Sequence, residues 1–316
     1  METLREEIIQ RWSHELVGRN FTIRLLNAGD SKEFTDISAV TVTTVLYIIL
    51  VAQRGFSNFK EYEAIEMAKL GVLKIGDIDK SKPPAFVDFF VSNDTLQAAE
   101  TLIVCNELQR RVEYFDLEEN SEYTMREFIS PILLGALELY GKFNELKKSE
   151  LKLVCEMKVS GSAGNGPADY IVTYKKTNII LTEAKKDEID KGVVQNLCQQ
   201  VASVQEVARS LKLTTSKKRK FEEILADVEM MPTYGIVSTG DKWIFLRYWA
   251  GAALGSPRLR ISEEIDYSLK NLKKITVEAN LESTCNLIRM IAGIVKEQVD
   301  NMNEWEPKYK KDNEGG

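Results

Sequence analysis

Histidine is nearly missing from this chain: His14 is the only one among 316 residues. Serine or cysteine nucleophiles that depend on an imidazole base are therefore poorly supplied, and so are imidazole-built metal centres. His14 itself lies beside Glu15 in a helix-like opening and reads as a surface side chain. Cysteine is scarce too. Cys105, Cys155, Cys198 and Cys285 stand 50, 43 and 87 residues apart, so no CxxC spacing exists and a cysteine-built zinc site is excluded. Each lies in an apolar segment and reads as a small buried hydrophobe in a reducing, intracellular compartment. There is no GxxxxGK[ST] and no GxGxxG, which removes nucleotide hydrolysis by a P-loop. No apolar run is long. The longest, residues 40–52, has 13 residues with three threonines, too short to span a bilayer, so no membrane partner is expected. The charged start Met1-Glu-Thr-Leu-Arg-Glu-Glu7 has no apolar core of a secretory leader. A global positive field is missing as well. Lys+Arg 42 against Asp+Glu 48 gives −6, so any contact with nucleic acid must come from local patches.

What is present is an ordinary globular composition, 44% hydrophobic and 28% charged. The length is about twice a typical domain of ~150 residues, which predicts two units. Residues 1–118 read as a mostly helical first unit of unassigned role, with helical segments at 4–16, 59–70 and 95–114. The acidic stretch Asp116-Leu-Glu-Glu-Asn-Ser-Glu122 reads as a linker. From 119 to 303 the pattern is rhythmic. A helix is predicted over 123–140, a strand over 151–159, strands over 168–174 and 178–184, and a long helix over 191–211. A hairpin over 234–248 follows, turning at Ser238-Thr-Gly-Asp241, and then an amphipathic helix over 281–299. The polar tail 304–316 is expected to be flexible. This order predicts an α/β fold, a mixed sheet with helices on its faces.

One segment carries chemistry. Gly166-Pro-Ala-Asp169 opens a strand, and Glu183-Ala-Lys185 ends the next. Read as a hairpin with a three-residue loop, the register places residue 174 opposite 178, 172 opposite 180, and Asp169 opposite Glu183. Facing residues have Cβ atoms only about 5 Å apart. Alternation puts Lys185 on the face of Glu183, together with Ile171, Ile179 and Leu181. Two like charges that close repel unless a cation lies between them. Oxygen ligands without imidazole point to Mg²⁺ or Mn²⁺ rather than zinc. A lysine alongside can orient an attacking water and stabilise developing charge, the equipment of metal-assisted phosphodiester hydrolysis. The bare Glu-x-Lys spacing carries little information, since it occurs at Glu145, Glu150, Glu156, Glu183 and Glu306. The information lies in the strand context and the facing Asp169. The competing reading is a surface ion cluster at a sheet edge, and Glu156-Met-Lys158 is the rival strand site. Gln195 on the long helix can reach the patch, whereas Gln199 sits further round its apolar stripe. Glu127 on the opening helix is either another carboxylate of the site or the partner of Thr124 in a capping box.

These residues resemble the PD-(D/E)XK, or restriction-endonuclease-like, nuclease superfamily over about 120–250. GPADY, TEAKK, QNLCQQ and GDKWIF are similar as a set to nuclease domains of type I restriction subunits and Crinkler-type effectors. The resemblance implies a helix, three strands, helix, strand core. It makes Asp169 and Glu183 metal ligands together with the Ala184 carbonyl, and Lys185 the group that positions water. Glu127 would be the opening-helix carboxylate and Gln195 or Gln199 the supporting glutamine, with Glu127 and Gln195 taken as supporting catalytic residues. It implies a metal-dependent endonuclease acting on DNA ahead of RNA, with a homodimer as the form that cuts both strands. The alternative is a non-cleaving nucleic-acid-binding or effector interaction module on the same fold. Lys175, Lys176 and Lys186 are expected to add positive charge near the site. Lys217, Lys218, Arg219 and Lys220 read as a phosphate-contacting loop or a nuclear-localisation signal.

Overall fold

The computed structural model describes residues 21–27, 46–52, 54–81, 94–117, 121–146, 149–161, 164–214, 228, 231–251, 258–269 and 277–314. The fold is α/β, with a mixed sheet between two helical layers. Strands β1 (Phe21–Asn27) and β2 (Leu46–Ala52) pair antiparallel as a two-stranded ladder of their own. The main sheet holds nine strands: β3 (Arg54–Gly55), β4 (Lys80–Ser81), β5 (Leu151–Ser160), β6 (Gly164–Tyr174), β7 (Thr177–Ala184), β8 (Thr233–Ser238), β9 (Lys242–Tyr248), β10 (Leu259–Ser262) and β11 (Ile265–Asp266). Their order is β3-β6-β7-β8-β9-β10-β4, with β5 on the outer side of β6 and β11 on β9.

Strands β5, β6 and β7 form an antiparallel meander, and β7 then pairs parallel with β8. A parallel neighbour needs a crossover. Helix α4 (Ile189–Thr214) lies on that connection, and four other helices are described: α1 (Glu61–Met67), α2 (Asp94–Tyr114), α3 (Glu122–Phe143) and α5 (Val277–Glu314).

Alternation along the strands builds two cores. Val172, Ile180, Ile236 and Phe245 face α2, α3 and α5, whereas Ile171, Leu181, Val237 and Ile244 face α4. Phe56, Phe59 and Ala64 join the second core from the first unit. Strand β3 pairs with the start of β6, β4 pairs with β10, and α2 packs on α3 and α5. The expected separation near residue 118 is therefore not seen among the described residues. Segments on both sides contribute strands to one sheet and share its apolar faces. The first unit also contributes strands, not helices only. At the other end, α5 continues to Glu314, so the tail expected to fray from 304 is helical backbone through that residue.

The β6–β7 turn has two residues rather than three. Lys175 (φ 47°) and Lys176 (φ 72°) both take the left-handed conformation that a tight primed turn requires. Tyr174 therefore faces Thr177 and Thr173 faces Asn178, and a bulge restores the expected pairing from Val172–Ile180 onward. Ile179 is the extra residue of that bulge. It turns into the core with Ile180 rather than sharing the face of Leu181.

Candidate metal centre

The pairing Tyr170–Thr182 and Ile171–Leu181 carries the expected register to the end of the hairpin. One step further, Asp169 and Glu183 come together, 5% and 2% exposed. Their third companion is Glu122. Oxygen atoms of Glu122, Asp169 and Glu183 all lie within 4.8 Å of one another, an arrangement that can hold a metal ion. Glu122 is the first residue of α3. Ser121 caps that helix by accepting from the Thr124 N–H at 3.3 Å, so the first turn is held over the strand ends.

Each carboxylate is aimed by specific donors. Asp169 accepts from the Ala184 N–H at 2.7 Å through one oxygen and from Arg126 through the other. Glu183 accepts from Lys185 Nζ at 2.7 Å and from Gln199 Nε2 at 2.8 Å. Lys185 also reaches Glu122 at 3.4 Å. Arg126 spans Asp169 and Glu156, with 2.6 Å to the latter. Gly192 makes room for this: a Cβ there would stand 2.9 Å from Lys185 Cγ and 2.5 Å from Val237 Cγ1. The residue lets the first turn of α4 lie directly over the lysine.

Burial dominates the electrostatics. It pushes the Glu183 carboxyl up to about 7, and the nearby Asp169 charge adds to the shift despite Lys185 and Gln199. The Asp169 carboxyl is likewise raised by burial, against the Ala184 N–H and the two cations. Burial opposes the Lys185 ammonium, but the charge and hydrogen bond of Glu183 outweigh it and hold its pKa above the ordinary value. Three carboxylates, Glu122, Asp169 and Glu183, thus share two cations, Arg126 and Lys185, and their oxygens could take up an added hard cation. The donors are carboxylate oxygens without thiolate or imidazole, a hard oxygen set.

The cluster opens into a cleft of about 320 Å³. Its walls include Gly55 and Phe56 from the first unit, Gly166 and Pro167 before Asp169, and Glu188, Lys191 and Gln195 from the start of α4. Gln195 lines the cleft, but Gln199 makes the contact with Glu183. Helix α4 is buried over a wider arc than its apolar stripe, because Asn196 and Gln200 hydrogen-bond inward as well. Asn196 Nδ2 donates to the Leu181 carbonyl at 3.0 Å and Gln200 Nε2 donates to Asn196 at 2.9 Å. Glu127 is not in the site. It is half-exposed and lies 3.6 Å from Arg111 of α2. The capping box at this helix pairs Ser121 with Thr124 rather than Thr124 with Glu127. Five positions on from Glu122, Glu127 turns away, while Arg126 at four positions shares the face of Glu122. Glu156 sits on β5 beside the cluster with φ 52° and is 58% exposed, so it partners Arg126 rather than forming a second metal site with Lys158.

Lys175 and Lys176 occupy the turn, six residues along β6 from Asp169, or roughly 20 Å in extended chain. Lys175 lies 3.4 Å from Asn303 and over the Tyr174 ring, so neither lysine adds charge at the carboxylates. Lys186 is exposed beside Lys185. The basic cluster Lys217, Lys218, Arg219 and Lys220 lies outside the described residues. Among the described residues no helix is long and apolar enough to cross a membrane. Comparison of the chain with protein-family models, with curated proteins and with solved structures found no match.

Proposed function

We propose that this protein is a Mg²⁺- or Mn²⁺-dependent nuclease of the PD-(D/E)XK kind, acting on phosphodiester bonds in nucleic acid. The observation that carries the reading is the convergence of Glu122, Asp169 and Glu183, with Lys185 bridging two of them, in an open cleft at the strand ends. The helix–meander–helix–strand order of α3, β5, β6, β7, α4 and β8 supports it, since it is the order the sequence resemblance implies. The ends of neighbouring strands in an open sheet are also where α/β proteins place ligand sites.

In this reading Glu122, Asp169 and Glu183 would hold a divalent ion, and the resemblance adds the Ala184 carbonyl as a further oxygen. Bound there, the ion would supply Lewis-acid chemistry, favouring ionisation of a water and offsetting charge on the phosphate. Lys185, held 2.7 Å from Glu183, keeps a proton-donating ammonium beside the acidic cluster, where it orients the attacking water. Gln199 fixes Glu183 and also donates to the Pro167 carbonyl at 3.2 Å, tying the helix to the loop before Asp169. Arg126 offers a guanidinium to the phosphate as charge builds on it.

The test is cleavage of plasmid, single-stranded DNA and RNA with and without Mn²⁺, comparing wild type with Asp169→Ala and Lys185→Ala. Cleavage that needs Mn²⁺ and is lost in both variants is expected. Equal activity in all three proteins rejects the reading. Nucleic-acid binding without cleavage in wild type favours the non-cleaving module.

A further inference from the structure

We propose that the site takes a single strand of nucleic acid, with the Tyr123 ring stacking on the base beside the phosphate that Arg126 faces; this deepens the nuclease reading and rests on it. Tyr123 follows Glu122 directly in the first turn of α3, and it is 70% exposed. The Arg126 guanidinium lies 4.7 Å from the centre of its ring. That guanidinium is itself fixed by Asp169 and Glu156. The ring is thus attached through one cation to the acidic cluster while most of its surface meets solvent. Tyr62, Tyr114, Phe115 and Phe143 are exposed as well. Among the described residues, no cation lies over the ring of Tyr62, Tyr114 or Phe115.

Isolated exposed aromatics are common and need no explanation. Tyr123 differs because its neighbours already supply what a nucleotide requires. Arg126 gives a charge-assisted donor for the phosphate. Glu122, Asp169 and Glu183 supply oxygen ligands for the divalent ion. The ring supplies an apolar face for a base. A base inside a duplex has both faces covered by its neighbours, so a protein ring can reach one only on an unstacked strand. Stacking does not distinguish DNA from RNA, because every base has a π-face.

The full chain and its Tyr123→Ala and Tyr123→Phe variants are titrated by fluorescence anisotropy in Ca²⁺. The probes are a labelled single-stranded DNA decamer, the matching RNA decamer and a blunt DNA duplex. Tyr123→Ala is expected to weaken single-strand binding by about ten- to a hundredfold, with Tyr123→Phe within about twofold of wild type and duplex binding unchanged. Loss on DNA alone or RNA alone identifies the sugar, and either supports the proposal. Unchanged single-strand binding by Tyr123→Ala overturns it, as does wild-type binding of the duplex as tightly as the decamers. Calorimetric titration of wild type with Mn²⁺ separates the two levels. Mn²⁺ binding with cleavage of duplex only overturns this proposal and leaves the nuclease reading standing. No Mn²⁺ binding overturns both.

Discussion

Two charged clusters belong to the same sheet, one under α5 and one at the strand ends, and they differ in balance. Under α5, Arg247 pairs with Glu297, and the Tyr234 hydroxyl donates to the same carboxylate at 2.6 Å. Arg247 also lies 4.4 Å from the Trp249 ring and 5.4 Å from that of Tyr234. There Arg247 meets Glu297 directly and rests on aromatic faces, with Arg260 5.6 Å from the Trp249 ring as a second cation. At the strand ends, among the described residues, Glu122, Asp169, Glu183 and Glu156 pair with Arg126 and Lys185, while Lys191 lines the same cleft. A matched pair serves the fold, because removing either partner leaves a charge in a poorly solvated place. An unmatched surplus costs the fold and is useful only to something that binds there. The balance of charge, rather than the number of charged residues, separates the two.

The sharpest break in that comparison is expected from Asp169→Asn. Cleavage should fall by on the order of a hundredfold or more, while the melting temperature stays level or rises because one of the repelling charges is gone. Measuring both on the same preparation tests the surplus directly, since a merely structural carboxylate would lower the melting temperature. Gln199→Leu should weaken Mn²⁺ binding by roughly ten- to a hundredfold in calorimetry, because Glu183 loses the amide that aims it.

A smaller effect follows from pH. The raised Glu183 carboxyl makes the folded protein hold a proton more tightly than the unfolded chain. This contribution to stability is fully present below the ordinary 4.5 and is lost as pH rises through about 7. A divalent ion needs the ionised form, so added Mn²⁺ should raise the melting temperature more at pH 8 than at pH 5.5. At a hundred times the dissociation constant the gain is about 2.7 kcal/mol. Equal shifts at both pH values would place the ion elsewhere. The smallest effect concerns the balanced cluster. Arg247→Met should lower stability by roughly 1–2 kcal/mol, discounted for the partial exposure of both partners, with Mn²⁺ affinity unchanged. Urea denaturation and calorimetry check the two halves of that statement.

The sequence carried the hairpin end well. Strand alternation and facing register are local rules, and they brought Asp169, Glu183 and Lys185 to one face despite a misplaced turn. Two lysines with left-handed backbone, at a turn where glycine or asparagine is usual, concealed a two-residue connection. The bulge at Ile179 then absorbed the one-residue difference before it reached the carboxylates. Glu122 was hidden because Asp116–Glu122 looks like a solvated acidic stretch. Ser121 as the helix cap was the available signal, and it would have brought Arg126 into view four residues on. Gln199 was ranked behind Gln195 because a helix against a sheet was read by its apolar stripe, whereas α4 buries satisfied amides too. The contribution of Gly55 and Phe56 to the cleft had no local signature. It depends on β3 reaching β6 across more than a hundred residues of chain.

That long-range pairing bears on how the protein can be handled. The chain cannot be cut cleanly at residue 118, although the sequence invites the cut. A fragment beginning there would lose the Phe56 and Phe59 plug from beneath α4, strand β4 from the rim beside β10, and helix α2 from its bed on α3 and α5. The exposed faces would be sticky, and such a fragment should collect in inclusion bodies, while any shortening that begins upstream of Arg54 spares all three.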